Sequence, residues 1–166
     1  MAYKKKTWME KLEDKEGYPK ILKLEAGFPC YNALTGMGAR EGDDVVLTNP
    51  SEVVAIMRRV PEGKLITLRE ICEAIARQHG VKACCTLTSG IFVMTAANAA
   101  AGAAKEGNDL EIPYWRTLKI GGFLNEKYPG GEEGHKVLLE KEGHEVLAKG
   151  KKHYVKDCQR DLVAIK

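Results

Sequence analysis

The residues best suited to recognition chemistry stand in one short run, IPYWRTL from Ile112 to Leu118, in which two adjacent aromatic rings precede a guanidinium. Tyr114 and Trp115 each offer a face on which a nucleobase can stack, although adjacent aromatics serve equally often as core or interface residues. Arg116 can reach a phosphate or close a turn by satisfying several carbonyls with its planar fork. Nucleophiles lie elsewhere. Cys84 and Cys85 are adjacent and could accept an alkyl group or act as a redox pair, but neither has a base beside it in sequence, and thiol attack requires a lowered pKa. Glu142 and His144 could exchange protons, yet surface salt bridging is the commoner role of such pairs.

No metal site is expected. Five cysteines (Cys30, Cys72, Cys84, Cys85 and Cys158) are odd in number and irregularly spaced, and they do not combine with His79, His135, His144 or His153 at zinc-ligand spacings. The pattern reads as reduced thiols in a cytoplasmic protein, with no metal or organic cofactor. Twenty-six Lys and Arg against twenty-three Asp and Glu leave a net charge of +3, so any basic footprint must be local. Two concentrations exist: Lys4, Lys5 and Lys6 at the start, and Lys149, Lys151, Lys152, Lys156 and Arg160 near the end. No apolar run is expected to span a membrane, the Ala96–Ala104 stretch being too short and weakly apolar, and the Lys-rich start lacks a signal peptide's features.

The elements that must position these residues follow from punctuation and period. Thr7 and Glu10 predict a capping box for a short helix carrying Trp8 and Leu12, within an extension covering residues 1–48. Asn49, Pro50 and Glu52 predict a second helix start, with Val53, Val54, Ile56, Met57 and Val60 as its buried stripe. Thr67 and Glu70 predict another capping box, after which Leu68, Ile71, Cys72, Ile75 and Ala76 keep helical spacing up to Gly80. A third helix is expected from about Ser89 to Ala104, which contains no Lys or Arg. A shorter helix carries Val137, Leu138 and Leu139, and HEVLAKGKKHYVKD alternates about Gly150 as a β-hairpin should. Two helices on a short connection meet the minimum for a helix-turn-helix.

Taken together, three segments resemble the DNA-binding domain of the alkylguanine-DNA alkyltransferases and their non-catalytic relatives, the alkyltransferase-like proteins. They are VPEGKLITLREICEAIA from Val60, IPYWRTL from Ile112, and YPGGEEGHKVLLEKEG from Tyr128. The second is similar to the family's IPCHRVV. The resemblance covers about residues 50–145 and rests on the order and spacing of the three. It implies a mainly α fold with a small β-hairpin, a winged helix-turn-helix at 49–166. It also implies a recognition helix in the minor groove of double-stranded DNA and an alkylated guanine flipped into a pocket.

Departures from the pattern redirect the expected chemistry. Tyr114 stands at the family's nucleophilic cysteine and Trp115 at its activating histidine. A phenol with a pKa near 10 is protonated at neutral pH, and indole is a donor without a base. Asn98, Arg116, Tyr128 and Glu142 match the family's recognition-helix asparagine, following arginine, pocket tyrosine and carboxylate. Ser89 falls at its gap-filling arginine, and Leu68 replaces a tyrosine that helps rotate the target phosphate. The base-pocket candidates are therefore Tyr114, Trp115, Arg116, Tyr128, Asn98 and Glu142. The DNA-contact candidates are Thr67, Ser89, Lys149, Lys151 and Lys152. The expected function is DNA binding with recognition of alkylated guanine but no alkyl acceptance, a repair protein being a further expected partner and a membrane not. Two alternatives stay open: an alkyl acceptor using another cysteine, and a protein- or small-molecule-binding module on the same fold.

Overall fold

The computed structural model describes residues 6–14 and 17–165. Helix α1 (Trp8–Glu13) begins with a reciprocal capping box: Thr7 Oγ1 accepts from the Glu10 N–H at 3.1 Å, and Glu10 Oε2 accepts from the Thr7 N–H at 3.2 Å. Strand β1 (Lys20–Lys23), helix α2 (Tyr31–Gly36) and strand β2 (Asp44–Leu47) follow. Residues 20–47 thus hold regular structure that local sequence signals do not announce, and they close over their own apolar cluster of Leu24, Cys30, Leu34, Ala39, Val45, Ala83 and Cys85. Lys4 and Lys5 of the first basic cluster lie outside the described residues.

Asn49 caps α3 (Pro50–Met57) through its side-chain oxygen, which accepts from the Glu52 N–H at 3.0 Å, and every residue of the predicted stripe is buried. The Glu52 carboxylate does not return to the cap. It accepts instead from the Thr48 hydroxyl at 2.9 Å and lies 2.5 Å from His79 Nε2, tying the start of α3 to the end of the next helix.

Strand β3 (Ile66–Thr67) leads directly into α4 (Leu68–His79), which stops at Gly80 in the left-handed conformation. The second predicted capping box does not form. Thr67 is the cap residue, but its hydroxyl donates to the Glu70 carboxylate and accepts no backbone N–H. Strand β4 (Ala83–Cys84) then joins α4 to the long helix α5 (Thr86–Lys105), which starts three residues earlier than expected. By length and composition α5 is also apolar enough to cross a bilayer, contrary to expectation. Its inward face packs on α3 and α4, and α1 lies along one flank.

Beyond α5, a 3-10 turn over Tyr114–Arg116 precedes β5 (Thr117–Leu118), α6 (Gly131–Lys141), the hairpin β6 (Val146–Lys149) and β7 (Lys152–Val155), and the short α7 (Cys158–Asp161). The described residues are 44% helical and 16% strand. The chain is therefore a mixed α and β fold rather than the mainly α one expected, with three small sheets among the described residues. One has the order β1-β2-β4, with β2 parallel to β4; a second pairs β3 with β5 in parallel; the third is the hairpin. The β3-β5 pair fixes the aromatic turn beside the start of α4 by setting Thr67 against Leu118.

Candidate nucleic-acid interface

The aromatic turn is clamped from below by one carboxylate. Glu142, at the C-terminal cap of α6, accepts from Trp115 Nε1 at 2.6 Å, from Arg116 Nε at 3.0 Å, from Arg116 Nη2 at 2.9 Å and from the Gly63 N–H at 3.1 Å. Arg116 Nη1 reaches past it to the Val60 carbonyl at 2.8 Å. Burial alone would raise the Glu142 pKa, but the donors from Arg116, Trp115 and Gly63 hold it below the ordinary carboxylate range. The side chains of this ion pair are only 15% and 8% exposed, so Arg116 is committed to the fold and closes a turn between α3, α6 and the aromatic run.

Tyr114 lies above this clamp. Its ring meets Trp115 and Tyr128 edge-on, each at a centroid distance of 5.4 Å, and Tyr128 donates its hydroxyl to the Thr117 carbonyl at 2.9 Å. Such pairs contribute about 0.5–1.5 kcal/mol each beyond their buried area. Burial pushes the Tyr114 phenol above its ordinary pKa, so it is protonated at neutral pH and no better a nucleophile than an exposed tyrosine.

His135 completes the arrangement, and nothing in the local sequence singles it out. It is fully buried one helical turn before Leu139, which is also buried. Its Nε2 lies 2.8 Å from the Trp115 carbonyl, and its Nδ1 accepts from the Asn125 N–H at 3.1 Å. The acceptor role of Nδ1 places the proton on Nε2. Desolvation lowers its pKa to about 4, so the ring is neutral at physiological pH. The spacing His135, Leu139, Glu142 puts all three on one helical face, which is the signal that could have revealed it. Gly134 precedes it in close contact: a Cβ there would stand 2.6 Å from the Pro129 carbonyl.

A cleft of about 620 Å³ opens beside the turn, lined by Tyr114, Trp115, Arg116, Arg58 and the small residues Ala101 and Ala104 of α5. The volume falls within the range of about 300–1,000 Å³ common for small-ligand sites. No cysteine lines it among the described residues. Cys84 and Cys85 are buried on and beside β4, and Cys84 Sγ contacts the Ser89 hydroxyl at 3.3 Å. The hydrogen bond to Cys84 and burial together push the Cys72 thiol up, and burial takes Cys30 to about 12. Those two changes disfavour a thiolate, whereas the hydrogen bond from Cys72 lowers the Cys84 thiol, which is fully buried and does not line the cleft.

No protein-family model matches the sequence, and no curated protein matches it. Two solved structures show a likeness to this chain. One is S. pombe ATL in complex with DNA, with 21% identity over 70% of this chain and 94% of that one, at a TM-score of 0.45. The other is S. pombe Atl1 in complex with damaged DNA containing O6-carboxymethylguanine, with the same identity and coverage at a TM-score of 0.46.

The remaining candidates separate into two groups. Asn98, on α5, donates to the Met94 carbonyl at 2.9 Å and to the Lys127 carbonyl at 3.2 Å, which ties the helix to the loop bearing Tyr128. Ser89 is fully buried in the first turn of α5, and Thr67 is 5% exposed and bonded to Glu70. Both are expected from the sequence to meet DNA, and in this fold neither side chain faces solvent. Lys149, Lys151 and Lys152 are exposed on the hairpin, whose two-residue turn places Gly150 at φ +63°, the conformation that the first position of a tight hairpin turn requires. Lys152 Nζ also lies 5.8 Å from the Phe123 ring centroid, which anchors that strand to the preceding loop.

Proposed function

We propose that the chain is a winged helix-turn-helix protein that binds double-stranded DNA through α5 and the β6-β7 hairpin, receives an alkylated guanine in the Tyr114 cleft, and transfers no alkyl group. The observation that carries this reading is the placement of Tyr114 and Trp115 on a turn fixed by Glu142 and His135, at the wall of an open cleft that shares Ala101 and Ala104 with α5. Aromatic faces beside a groove-facing helix are what a flipped base requires. A phenol and an indole in place of a thiol and a base leave the site able to hold the lesion but without an activated nucleophile. Exposed lysines at the hairpin tip supply phosphate contacts that carry no sequence preference. In this reading the protein marks a lesion for a repair partner.

Fluorescence anisotropy with matched duplexes, one containing O6-methylguanine and one unmodified, tests it. Both duplexes should bind with a steep salt dependence, the alkylated one more tightly. Binding of the free alkylated nucleoside without affinity for either duplex would replace this reading with a small-molecule module.

A further inference from the structure

The sheet β1-β2-β4 has one covered edge and one bare one. Ala83 and Cys84 of β4 are buried, whereas residues 17–21 and Lys23 are exposed along β1. The ladder fixes which backbone groups the bare edge presents. Leu24 donates its N–H to the Asp43 carbonyl at 2.9 Å, so Leu24, Leu22 and Lys20 are the positions bonded to β2. Bonded and open positions alternate along an edge strand, and Ile21 and Lys23 therefore turn their N–H and C=O groups away from the sheet. Pro19, the next position in that alternation, has no N–H and closes the edge at one end. Side chains sort with the same period. On one face Lys23 Nζ lies 2.7 Å from Asp44 Oδ1, its cross-strand partner, and Ile21 is 50% exposed. Lys20 and Leu22 lie on the other face, that of Leu24 and Val45, and the Lys20 ammonium has no acceptor among the described residues. The edge thus carries an uncovered aliphatic side chain on one face and an uncompensated cation on the other.

We propose that β1 receives an extended segment of a partner protein as a fourth strand, one in which apolar side chains alternate with carboxylates. The apolar side chains pack on the Ile21 face, and the carboxylates lie on the Lys20 face. Main-chain bonds to Ile21 and Lys23 supply the affinity of strand addition, and the alternation of side chains supplies its selectivity. A second copy of the chain fits less well. In either two-fold register that overlaps the strand, with Ile21 opposite Ile21 or opposite Lys23 of its twin, Lys20 meets Leu22 or Leu24 and no carboxylate. Lysines and a proline on a short edge discourage indiscriminate pairing, and the same lysines favour an acidic strand. Neither the Tyr114 cleft nor the hairpin takes part, so the proposal stands apart from the DNA-binding reading.

The test uses the whole chain and fluorescein-labelled peptides of about seven residues, a common strand length, one alternating valine with glutamate and one alternating valine with lysine. Anisotropy should rise with the acidic peptide and not with the basic one. Ile21→Glu removes the apolar contact and adds repulsion, and should weaken the acidic peptide about tenfold or more. Lys20→Glu should weaken it too, and should let the basic peptide bind. Both positions are exposed, so both variants should melt with wild type. Peptide N-methylation adds a control that leaves the protein untouched, because methylating only the valine amides or only the glutamate amides blocks one edge of the added strand at a time. One set should abolish binding and the other should leave it within about threefold, the valine set being the sensitive one for antiparallel addition and the glutamate set for parallel. Equal tolerance of both sets overturns strand addition, as does equal binding of the acidic and basic peptides. Failure of wild type to bind the acidic peptide, or binding indifferent to Ile21→Glu, overturns it as well. A wild-type dimer that Ile21→Glu dissolves would give the edge to a second copy instead.

Discussion

The indole N–H of Trp115 donates to Glu142 at 2.6 Å, and the same carboxylate takes two further donors from Arg116. One acidic side chain therefore sets the orientation of both residues that follow Tyr114. Glu142→Ala should destabilise the fold by about 3–5 kcal/mol, since it strands a buried guanidinium and orphans the Gly63 N–H. Glu142→Gln should cost less, because its amide oxygen can keep one donor. Chemical denaturation of both variants checks the order; an equal, small loss in both would mean that the clamp contributes little.

Replacing Lys149, Lys151 and Lys152 with Ala should weaken DNA binding and lower the slope of log affinity against log salt by up to about 3, near 0.9 for each phosphate no longer neutralised. Thermal stability should barely move, as the three are exposed and only Lys152 touches a ring. Titration at several salt concentrations reads the slope, and an unchanged slope removes the hairpin from the interface.

Tyr114→Ala should reduce the preference for alkylated over normal DNA more than it reduces total affinity. The ring is 9% exposed and packs edge-on against two neighbours, so the same change should also cost about 3–5 kcal/mol of stability. Tyr114→Phe separates the two effects: it keeps the packing and the stacking face, and should keep the preference. Equal losses of Tyr114→Ala on both duplexes would make the residue structural only.

Neither wild type nor Tyr114→Cys should take up label from a radiolabelled O6-methylguanine duplex, because a thiol of ordinary pKa near 8.5 with an indole beside it has no base to ionise it. Tyr114→Cys/Trp115→His should gain transfer, since Glu142 already lies where it would hydrogen-bond and orient an imidazole at position 115. Denaturing electrophoresis and peptide mass analysis decide the matter, and stoichiometric label on wild-type Cys84 or Cys85 would restore the alkyl-acceptor alternative.

Stability should fall as pH drops from about 6.5 toward 4. His135 has its folded pKa lowered to about 4 against an unfolded value near 6.5, so the unfolded chain binds the proton first and the folded state is fully favoured only above that window. The difference corresponds to about 3 kcal/mol. His144, also lowered by burial, adds in the same direction, and Glu142 joins once pH falls below its unfolded value. His135→Gln should flatten the pH 4–6.5 segment of a denaturation series; an unaltered segment would assign the loss to other groups.

Much of this is legible in the sequence where a local rule acts alone. The Thr7 and Asn49 caps, the stripe of α3 and the Gly150 hairpin each depend on neighbours a few residues away, and each forms as predicted. The base-pocket candidates Tyr114, Trp115, Arg116, Tyr128 and Glu142 lie together as one packed network. What escapes is long-range. The four-residue strands β1 and β2 are too short and too mixed in polarity for a period to show, and their register depends on β4, about forty residues further on. Thr67 reads in sequence as a reciprocal cap and a DNA contact, but a strand pairing and Glu70 claim it. Ser89 reads in sequence as a DNA contact, but in the first turn of α5 its side chain is fully buried against Cys84.

The parallel pairing of Val45 with Ala83 and Val46 with Cys84 means that the first third of the chain ends its sheet on the strand that launches α5. That segment therefore behaves as a splint and not as a detachable tag. A fragment beginning at Asn49 would leave β4 as a bare edge with Ala83 and Cys85 uncovered, an invitation to pair with another copy. The same coupling runs in reverse: a duplex that pushes on the start of α5 pushes on β2 as well, so reporter groups placed on β1 or β2 should feel DNA binding although neither strand carries a residue assigned to it.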